Sequence, residues 1–294
     1  WKVALEDPKW KEAMLDEMRA LENNKTWELV NLPPGKQPAG CKWVFTIKHT
    51  PEGKIDRYKA RLVAKGYTQT YGIDYDEFAP VAKMSSVRTL ISCAVNFDWS
   101  IYQMDVKNAF LHGDLHEEVY MQIPPGFESS RNTGNVLRLH RSLYGLKQSP
   151  RAWFDRFRQA MLKRGYRQSN ADHTLFYKHS NNKVAILIVY VDDIVMTGND
   201  TEEIAGLKHH LAQEFEVKDL GHFRYFLGIE VLRSKKGIFL TQRKYILDLL
   251  KETGMYGSKP AATPIEQNHR LSSDVGNPVT LVEKGAMAQA SSAH

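Results

Sequence analysis

The sequence predicts an α+β fold in which antiparallel strands joined by hairpins are backed by amphipathic helices. The spacing of apolar residues alternates along the chain between a period of about 3.6, typical of helices, and about 2, typical of strands. Clusters of Pro, Gly, Asn and Ser separate the short strand-like runs. The chain has 294 residues, 42% of them hydrophobic and 25% charged, so it has a globular composition and can bury its own core.

Five segments have helical periodicity. The first, residues 8–23, places Trp10, Met14, Met18 and Leu21 at the spacing of one helix face. The Asn-Asn pair that follows is expected to end this helix. The other four predicted helices cover residues 85–96, 151–164, 202–215 and 241–252.

Short β-prone runs lie between these helices. Residues 27–30 and 42–47 are predicted to be strands joined by hairpins, with turns at the Pro-rich segments 33–35 and 51–53. Residues 57–69 alternate basic and apolar side chains, which predicts a strand with one basic face. Further strands are expected at 99–106, at 184–195 as an apolar pair interrupted by two aspartates, and at 224–240 as a hairpin turning at 234–237.

The net charge of +6 is concentrated in one part of the chain. Ten Lys or Arg residues fall between residues 131 and 168 against a single acid, and aromatic residues are interleaved with them. Such a run is either a solvated helix face or a surface for an anionic partner such as nucleic acid. The two cysteines, Cys41 and Cys93, are too few for a disulfide scaffold or a cysteine-rich zinc site, so a reducing compartment is expected.

The ends of the chain predict a piece of a longer polypeptide that has no membrane segment. The longest apolar run, residues 184–191, has eight residues, whereas a spanning helix needs about 20. The chain begins at Trp1 with no basic-then-apolar leader, so secretion is not expected. Residues 257–294 contain no Phe, Trp or Tyr, which predicts a poorly ordered tail or a truncated connection.

Three aspartates form the candidate catalytic site. Asp105 ends one predicted strand, and Asp192 and Asp193 lie at the tip of a predicted hairpin. Carboxylates on neighbouring strand ends can hold two Mg²⁺ ions about 3.5–4 Å apart for phosphoryl or nucleotidyl transfer. Because adjacent strand residues point to opposite faces, Asp192 is assigned to both metals with Asp105, and Asp193 to a supporting role. The main-chain carbonyl of Val106 is a candidate further ligand.

An Asp-Asp pair alone is most often a turn, but the flanking sequence resembles a reverse transcriptase, in particular that of copia-type (pseudovirus) LTR retrotransposons. The motifs that carry the resemblance follow the family's order over residues 1 to about 268: Lys42-Trp43-Val44-Phe45, Tyr58-Lys59-Ala60-Arg61-Leu62-Val63-Ala64-Lys65-Gly66, Phe78-Ala79-Pro80-Val81, Gln103-Met104-Asp105-Val106-Lys107-Asn108-Ala109-Phe110-Leu111-His112-Gly113, Glu117-Glu118-Val119-Tyr120-Met121, Ser142-Leu143-Tyr144-Gly145-Leu146-Lys147-Gln148-Ser149-Pro150-Arg151, Tyr190-Val191-Asp192-Asp193, Lys218-Asp219-Leu220-Gly221 and Phe226-Leu227-Gly228-Ile229-Glu230.

The resemblance implies a right-hand polymerase fold with an antiparallel palm sheet. It implies an RNA-directed and DNA-directed DNA polymerase that adds dNTPs to a primer 3′ end, with two Mg²⁺ ions as cofactors and Mn²⁺ as a substitute. The expected partners are an RNA/DNA template–primer duplex, dNTPs and the other polyprotein domains. The expected divisions are fingers at 1–80 and 113–148, palm at 81–112 and 149–236, partial thumb at 237–256, and the tail at 257–294.

The resemblance also implies roles for single residues. Phe110 would be a steric gate against a ribose 2′-hydroxyl, with core packing as the alternative, and Lys218 would donate a proton to pyrophosphate, with a surface lysine as the alternative. The remaining expected nucleotide-binding residues are Lys59, Arg61, Lys65, Tyr144, Gly145 and Lys147, with Arg61 the first choice for the triphosphate. The expected primer grip, which holds the primer 3′ end, consists of Phe226, Leu227 and Gly228.

Two alternatives remain open. The chain could be a catalytically inactive, nucleic-acid-binding remnant of a retroelement, although its three aspartates are intact. The second alternative is a glycosyltransferase with an Asp-x-Asp metal site, although the sequence lacks that spacing.

RNase H and integrase are expected to be absent from this chain. Low processivity is expected from its short thumb. The expected location is a cytoplasmic virus-like particle, with the nucleus as the alternative.

Overall fold

The computed structural model describes residues 1–50, 54–72, 75, 79–129, 134–234 and 237–259. The chain divides into two compact units, residues 1–222 and 223–294. Both contain helices and antiparallel strands, as the predicted α+β class requires. None of the helices in the described ranges combines the length and apolar character needed to cross a bilayer.

Two helices open the first unit. The short helix α1 covers Lys2–Glu6, and α2 covers Pro8–Asn23, which confirms the predicted bounds. The Asp7 side chain caps α2 by accepting a hydrogen bond from the Lys9 amide at 2.8 Å. Helix α2 buries an apolar face, and one carboxylate with it: Ala13, Met14, Glu17, Met18 and Leu21.

The first strand, β1 (Trp27–Asn31), does not form a hairpin with the next strand, so that part of the prediction is wrong. It pairs with β6 (Asn135–Arg141), which in turn pairs with β5 (Asp114–Met121). Both apolar and polar pairs join these strands, since Trp27 lies opposite Leu139 and the Arg138 guanidinium donates to the Glu28 carboxylate at 3.4 Å. The turn signal at 33–35 correctly predicted where β1 ends. It did not predict the strand that pairs with β1, which lies about a hundred residues further along the chain.

The second hairpin is present. Strand β2 (Cys41–His49) pairs along its whole length with β3 (Ile55–Ala64), while the predicted turn at 51–53 lies outside the described residues. Alternate residues of β3 are buried, and Lys59 and Arg61 lie between them, as its pattern predicts. The strand ends at Ala64 instead of residue 69, because a 3-10 turn at Gly66–Thr68 follows.

The hairpin and helix α2 share one core with the β1–β6–β5 sheet. Its buried members come from all of these elements and include Met14, Leu21, Trp43, Leu62, Met121, Leu139 and Leu143. Two other aromatic contacts extend this core, since the Trp10 ring meets Phe45 and Tyr58 edge-on at 5.1 and 4.6 Å. The apolar face of α2 thus holds the hairpin in place.

A six-stranded antiparallel sheet forms the second core of this unit, in the order β11-β4-β10-β9-β8-β7. The strands are β4 (Ile101–Val106), β7 (Arg167–Gln168), β8 (Leu175–Ser180), β9 (Lys183–Tyr190), β10 (Asp193–Gly198) and β11 (Val217–His222). Helices α4 (Ser149–Lys163) and α5 (Thr201–Glu214) pack on one face through Trp153, Phe157 and Leu207. Helix α3 (Met84–Asn96) contacts β10.

The helices predicted at 85–96, 151–164 and 202–215 are confirmed to within two residues at each end. The predicted apolar pair at 184–195 is confirmed as β9 and β10. Strands β5, β6, β8 and β11 had no clear alternation in sequence and were not predicted, because charged residues occupy positions along them whose side chains reach solvent.

The second unit is small. Strands β12 (Tyr225–Phe226), β13 (Ile229–Ser234) and β14 (Gly237–Thr241) form a three-stranded antiparallel sheet, which confirms the hairpin predicted at 224–240. Its turn residues 235 and 236 lie outside the described ranges. Helix α6 (Arg243–Glu252) follows, two residues later than predicted, and its Lys244 amide donates to the Glu230 carboxylate at 3.0 Å. The tail beyond residue 259 also lies outside the described residues.

Candidate active site

The three aspartates come together where β4 meets the β9–β10 hairpin. Asp193 is the first residue of β10 and lies directly opposite Asp105 in the antiparallel ladder. Residues opposite each other across a ladder point to the same face, so these carboxylates share one face of the sheet. Met104 and Val106, which flank Asp105, point to the other face and are buried in the core. The strand alternation therefore places acids on one side and apolar anchors on the other.

Asp192 lies in the two-residue turn between the strands, together with Val191. Val191 has a φ of 53°, in the left-handed region that a β-branched residue rarely adopts. Two hydrogen bonds hold this strained turn. The Trp153 indole Nε1 donates to the Val191 carbonyl at 2.6 Å, and the Val106 amide donates to the Asp192 carbonyl at 2.8 Å. Helix α4 and strand β4 thereby fix the turn that carries Asp192.

Burial and mutual repulsion disfavour ionisation at this site. Burial raises the pKa of Asp193 to about 6, and the charges of Asp192 and Asp105 contribute to the rise, while a hydrogen bond from Gln103 opposes them. Burial also raises the pKa of Asp192, with Asp105 adding to the effect and the Arg61 charge opposing it. A group of carboxylates that resists ionisation when alone is suited to bind cations.

Gln103 is a site residue that sequence reasoning missed. Its side chain is buried, and its amide Nε2 donates to Asp193 Oδ1 at 2.9 Å. It precedes Asp105 by two residues on β4, so it faces the same side of the sheet. A polar residue at a buried strand position, two before a candidate acid, was the signal that could have identified it. Gln103 fixes the orientation of the Asp193 carboxylate.

Lys218 lies on the other side of Asp105. It is exposed on β11 and directly opposite Asp105 in the ladder, so one row across three strands reads Asp193, Asp105 and Lys218. The structure thus brings a cation of the sheet edge to the same face as the acids. The Val106 side chain, in contrast, is buried in the core, so only the main chain of this residue could contact a ligand.

Arg61 from β3 and Tyr144 lie beside the acids. The Arg61 guanidinium lies over the Tyr144 ring at 5.0 Å from its centroid, and the Phe110 ring lies 4.9 Å from the same ring. Burial raises the pKa of Tyr144, and the charges of Asp192 and Asp105 contribute to the rise. The buried Nε of Arg61 has no hydrogen-bond partner among the described residues. A cationic group with a free donor therefore lies near the acids.

Gly145 allows the backbone of its loop to lie against β3. It has a φ of +93°, and a Cβ at this position would lie 2.1 Å from the Ala64 carbonyl oxygen. The Ala64 amide also donates to the Tyr144 carbonyl at 2.7 Å. Gln69 ties the same loop to the turn after β3, because the Lys147 amide donates to Gln69 Oε1 at 2.9 Å. Hydrogen bonds and a close backbone contact thus hold this loop against β3 and the turn that follows it.

The other basic candidates lie along the same hairpin. Lys59 is half-buried two residues before Arg61, and burial followed by the Arg61 charge lowers the pKa of its ammonium group, while Glu17 raises it. The Lys65 amide donates to the Gly40 carbonyl at 2.8 Å, which anchors the end of β3. Among these residues, Arg61 is the one whose charge acts on Asp192.

Glu17 on α2 is a second residue that sequence reasoning missed. It is 8% exposed, and its Oε1 accepts a hydrogen bond from the Leu62 amide at 3.3 Å. Burial raises its pKa, while the Leu62 hydrogen bond and the charges of Lys59 and Arg61 oppose the rise. The signal in the sequence was a glutamate on the predicted apolar face of a helix, at the spacing of Met14 and Leu21.

A cavity of about 430 Å³ lies next to the turn formed by Val191 and Asp192. Phe110, Trp153 and Val191 line it together with Lys147 and with Val81 from the segment before α3. Its walls are largely apolar. A flat, uncharged group such as a nucleobase could lie against these walls next to the acids.

The acids suit a hard cation by their chemistry, since carboxylate oxygens are the ligands that Mg²⁺ and Mn²⁺ prefer. No three acidic, His or Cys side chains in the described part of the chain converge closely enough to enclose a metal ion. Mg²⁺ usually takes one or two carboxylates and completes its shell with water and substrate phosphates, so the carboxylates of Asp105 and Asp192 are chemically suited to such an ion.

The expected primer-grip residues lie in the second unit. Leu227 and Gly228 form the turn between β12 and β13, both with positive φ (49° and 77°). The Phe226 side chain is buried, and its ring lies 5.7 Å from that of Phe223. The turn is therefore a defined local structure with a buried aromatic anchor.

Comparison with known proteins identifies the family. The model of the family described as reverse transcriptase (RNA-dependent DNA polymerase) matches residues 24–267. The chain is 45% identical over 279 residues to the retrovirus-related Pol polyprotein from transposon RE1 of Arabidopsis thaliana, covering 94% of this chain and 19% of that protein. It is also 45% identical over 281 residues to the Pol polyprotein from transposon TNT 1-94 of Nicotiana tabacum, covering 94% and 21%.

The chain spans about a fifth of the length of these relatives. Among solved structures, a foamy viral protease–reverse transcriptase in complex with double-stranded DNA aligns with a TM-score of 0.40 and 13% identity, over 98% of this chain and 41% of that one. That likeness is loose, and the assignment rests on the family model and the sequence relatives. The chain belongs to the reverse transcriptase family, in its copia-type LTR-retrotransposon branch, and has the right-hand α+β polymerase fold of that family.

Proposed function

We propose that this chain is an RNA-directed and DNA-directed DNA polymerase that extends a primer 3′ end with dNTPs. The observation that carries the proposal is the ladder pairing of Asp193 with Asp105 beside the rigid turn that presents Asp192. Arg61 supplies a cation with a free donor next to these acids. Acids for metal ions and a cation for phosphate, together on one side of a sheet, are what nucleotidyl transfer needs.

Asp105 and Asp192 would hold two Mg²⁺ ions, or Mn²⁺ ions in their place, with the main-chain carbonyl of Val106 as a further ligand. When bound, the ions would lower the barrier to attack of the primer hydroxyl on the α-phosphorus and stabilise the pyrophosphate that leaves. Asp193 completes the acidic group, and its contact with Gln103 keeps one carboxylate oxygen engaged by the protein. Asp193 therefore acts in support of the two ligands.

Arg61 is proposed to bind the triphosphate, because its guanidinium can form paired hydrogen bonds with phosphate oxygens. Lys59 and Lys65 add positive charge along the same hairpin. Tyr144, Gly145 and Lys147 are proposed to lie under the templating base pair, where the close backbone contact at Gly145 keeps the loop flat against β3. The apolar cavity beside the turn would receive part of the bases.

Two further roles concern selectivity and proton transfer. Phe110, held against Tyr144, is proposed to exclude a ribose 2′-hydroxyl and so to select deoxynucleotides. Lys218, in the same row as Asp105, is proposed to donate a proton to the departing pyrophosphate. In a primer-extension assay, replacing Phe110 with Val should raise the rate of rNTP incorporation relative to that of dNTP incorporation.

The proposed division of the chain follows the sequence motifs. Fingers at 1–80 and 113–148 contain the β2–β3 hairpin and the β1–β6–β5 sheet, and a palm at 81–112 and 149–236 contains the six-stranded sheet with the acids. A partial thumb at 237–256 would follow a primer grip of Phe226, Leu227 and Gly228. An RNA/DNA template–primer duplex is the proposed partner, bound in part by the basic residues between 131 and 168.

Primer extension on poly(rA)/oligo(dT) with Mg²⁺ tests the proposal. Asp192→Asn should lower kcat by about a thousandfold or more, because it removes a carboxylate ligand of both ions. Asp16→Asn is the matched control, since Asp16 is exposed on α2 and its charge is changed in the same way. Equal activity of wild type and Asp192→Asn would refute the assignment.

The alternative of an inactive nucleic-acid-binding remnant is decided by the same experiment. A remnant would bind the template–primer duplex in a filter or anisotropy assay and yet extend no primer with either Mg²⁺ or Mn²⁺. The hydrogen bonds that hold the turn of Asp192 favour an active site, because a strained turn of this kind is retained where it has a use.

A further inference from the structure

Glu17 makes an unusual contact for a glutamate. It is buried on the apolar face of α2, against the free edge of β3, where its carboxylate accepts a hydrogen bond from the Leu62 amide. Strand β2 occupies the opposite edge of β3, so the Leu62 amide has no partner in the hairpin. Two contacts therefore tie down this free edge: Glu17 at Leu62, and the Tyr144 carbonyl at Ala64.

The carboxylate is also the counter-charge for two neighbouring cations. Lys59 and Arg61 lie two residues apart on β3, so they share a face, and the Arg61 charge helps to lower the pKa of Lys59. Burial raises the pKa of Glu17, and the positive charges of Lys59 and Arg61 both oppose that rise.

A glutamine would satisfy the Leu62 amide at lower cost. Its side-chain oxygen could accept the same hydrogen bond, and a neutral amide loses less hydration free energy on burial than a carboxylate. The negative charge at Glu17 therefore does more than close the strand edge. Its effect falls on Lys59 and Arg61, the residues proposed above to bind the triphosphate.

We propose that Glu17 is the positioning residue for the triphosphate-binding cations, its buried carboxylate holding Lys59 and Arg61 in place through charge and through the backbone of β3. This inference rests on the proposed function for its role in nucleotide binding. It assigns to the N-terminal helix a part in catalysis, because α2 delivers the carboxylate from outside the hairpin. Glu17 contacts the β3 backbone, and the proposal assigns it no contact with the nucleotide.

Glu17→Gln tests this with two measurements, and Glu12→Gln is the matched control because Glu12 is exposed on the same helix. In primer extension, the KM for dNTP should rise about three- to tenfold with kcat within about twofold, since the affected groups bind and do not react. Loss of folded protein would instead lower the apparent kcat and leave KM unchanged. Unchanged KM in Glu17→Gln overturns the proposal.

The second measurement needs no polymerase activity. Without Glu17 the pKa of Lys59 falls further, so its amine should react faster with an acylating reagent. The ratio of Lys59 to Lys42 labelling, read by peptide mass spectrometry, should rise at least about twofold in Glu17→Gln and not in Glu12→Gln. Exposed Lys42 on the same hairpin corrects for reagent. If wild type extends no primer, the proposed function fails, but the labelling ratio still tests whether the Glu17 carboxylate acts on Lys59. An unchanged ratio in Glu17→Gln overturns that part of the proposal.

Discussion

Gly145→Ala tests whether close backbone contact holds the nucleotide-binding loop against β3. The new Cβ would lie 2.1 Å from the Ala64 carbonyl oxygen and 2.7 Å from a Val63 methyl carbon, so the two backbones must separate by more than about 1 Å to reach ordinary contact. The left-handed φ of +93° costs about 1–2 kcal/mol for a non-glycine residue. Loss of the hydrogen bond from Ala64 to Tyr144 adds about 1–3 kcal/mol. The expected total loss in unfolding free energy is about 2–5 kcal/mol.

Gly165→Ala is the matched control. Gly165 has a φ of +87°, close to that of Gly145, but a Cβ added there would have no atom within 4 Å, so only the backbone cost of about 1–2 kcal/mol applies. Urea unfolding followed by tryptophan fluorescence measures both, because all six tryptophans lie in the first unit. Equal losses in the two variants would refute the argument that backbone contact, and not φ alone, requires glycine at 145.

Three further variants test the acids, the turn and the buried glutamate. Because the pKa of Asp193 is raised to about 6, its protonated carboxyl stabilises the metal-free fold most below pH 4, and this contribution declines as pH rises through 6. In EDTA, the unfolding free energy of Asp193→Asn should therefore exceed that of wild type by about 2 kcal/mol at pH 8 and equal it at pH 4. Trp153→Phe removes the hydrogen bond to Val191 and should lower kcat about tenfold in primer extension with dNTP KM unchanged; an unaltered kcat would show that the turn holds itself. The raised pKa of Glu17 has the same sign, so Glu17→Gln should have a higher unfolding free energy than wild type at pH 8 and an equal one at pH 4, and a lower value at pH 8 would contradict the direction.

Long elements with one clear period were predictable from the sequence. Helix α2 has the bounds that its apolar spacing indicated, and the β2–β3 and β9–β10 pairs join the strand runs that the sequence predicted. The pairing of β1 was not predictable in this way. Its partner lies about a hundred residues away, and no local turn signal in the sequence points to that strand.

The acids of the site were predictable because strand ends and interrupted apolar runs are visible in the sequence. Their supporting residues were less visible. Gln103 and Glu17 act through single contacts with groups on other elements, so their roles depend on register and on helix docking. Both nevertheless break an apolar pattern, and a polar residue at a position that should be buried is worth examining for a partner.

The row formed by Asp193, Asp105 and Lys218 limits which insertions and deletions related sequences can tolerate. The site and the core share the same strands in alternate positions, so inserting or deleting one residue within β4 exchanges its two faces, sending Gln103 and Asp105 inward and Met104 and Val106 outward. No such change can alter the site while sparing the fold. Length variation should therefore accumulate in the loops between these strands, and variants with a substitution at Asp105 should still fold.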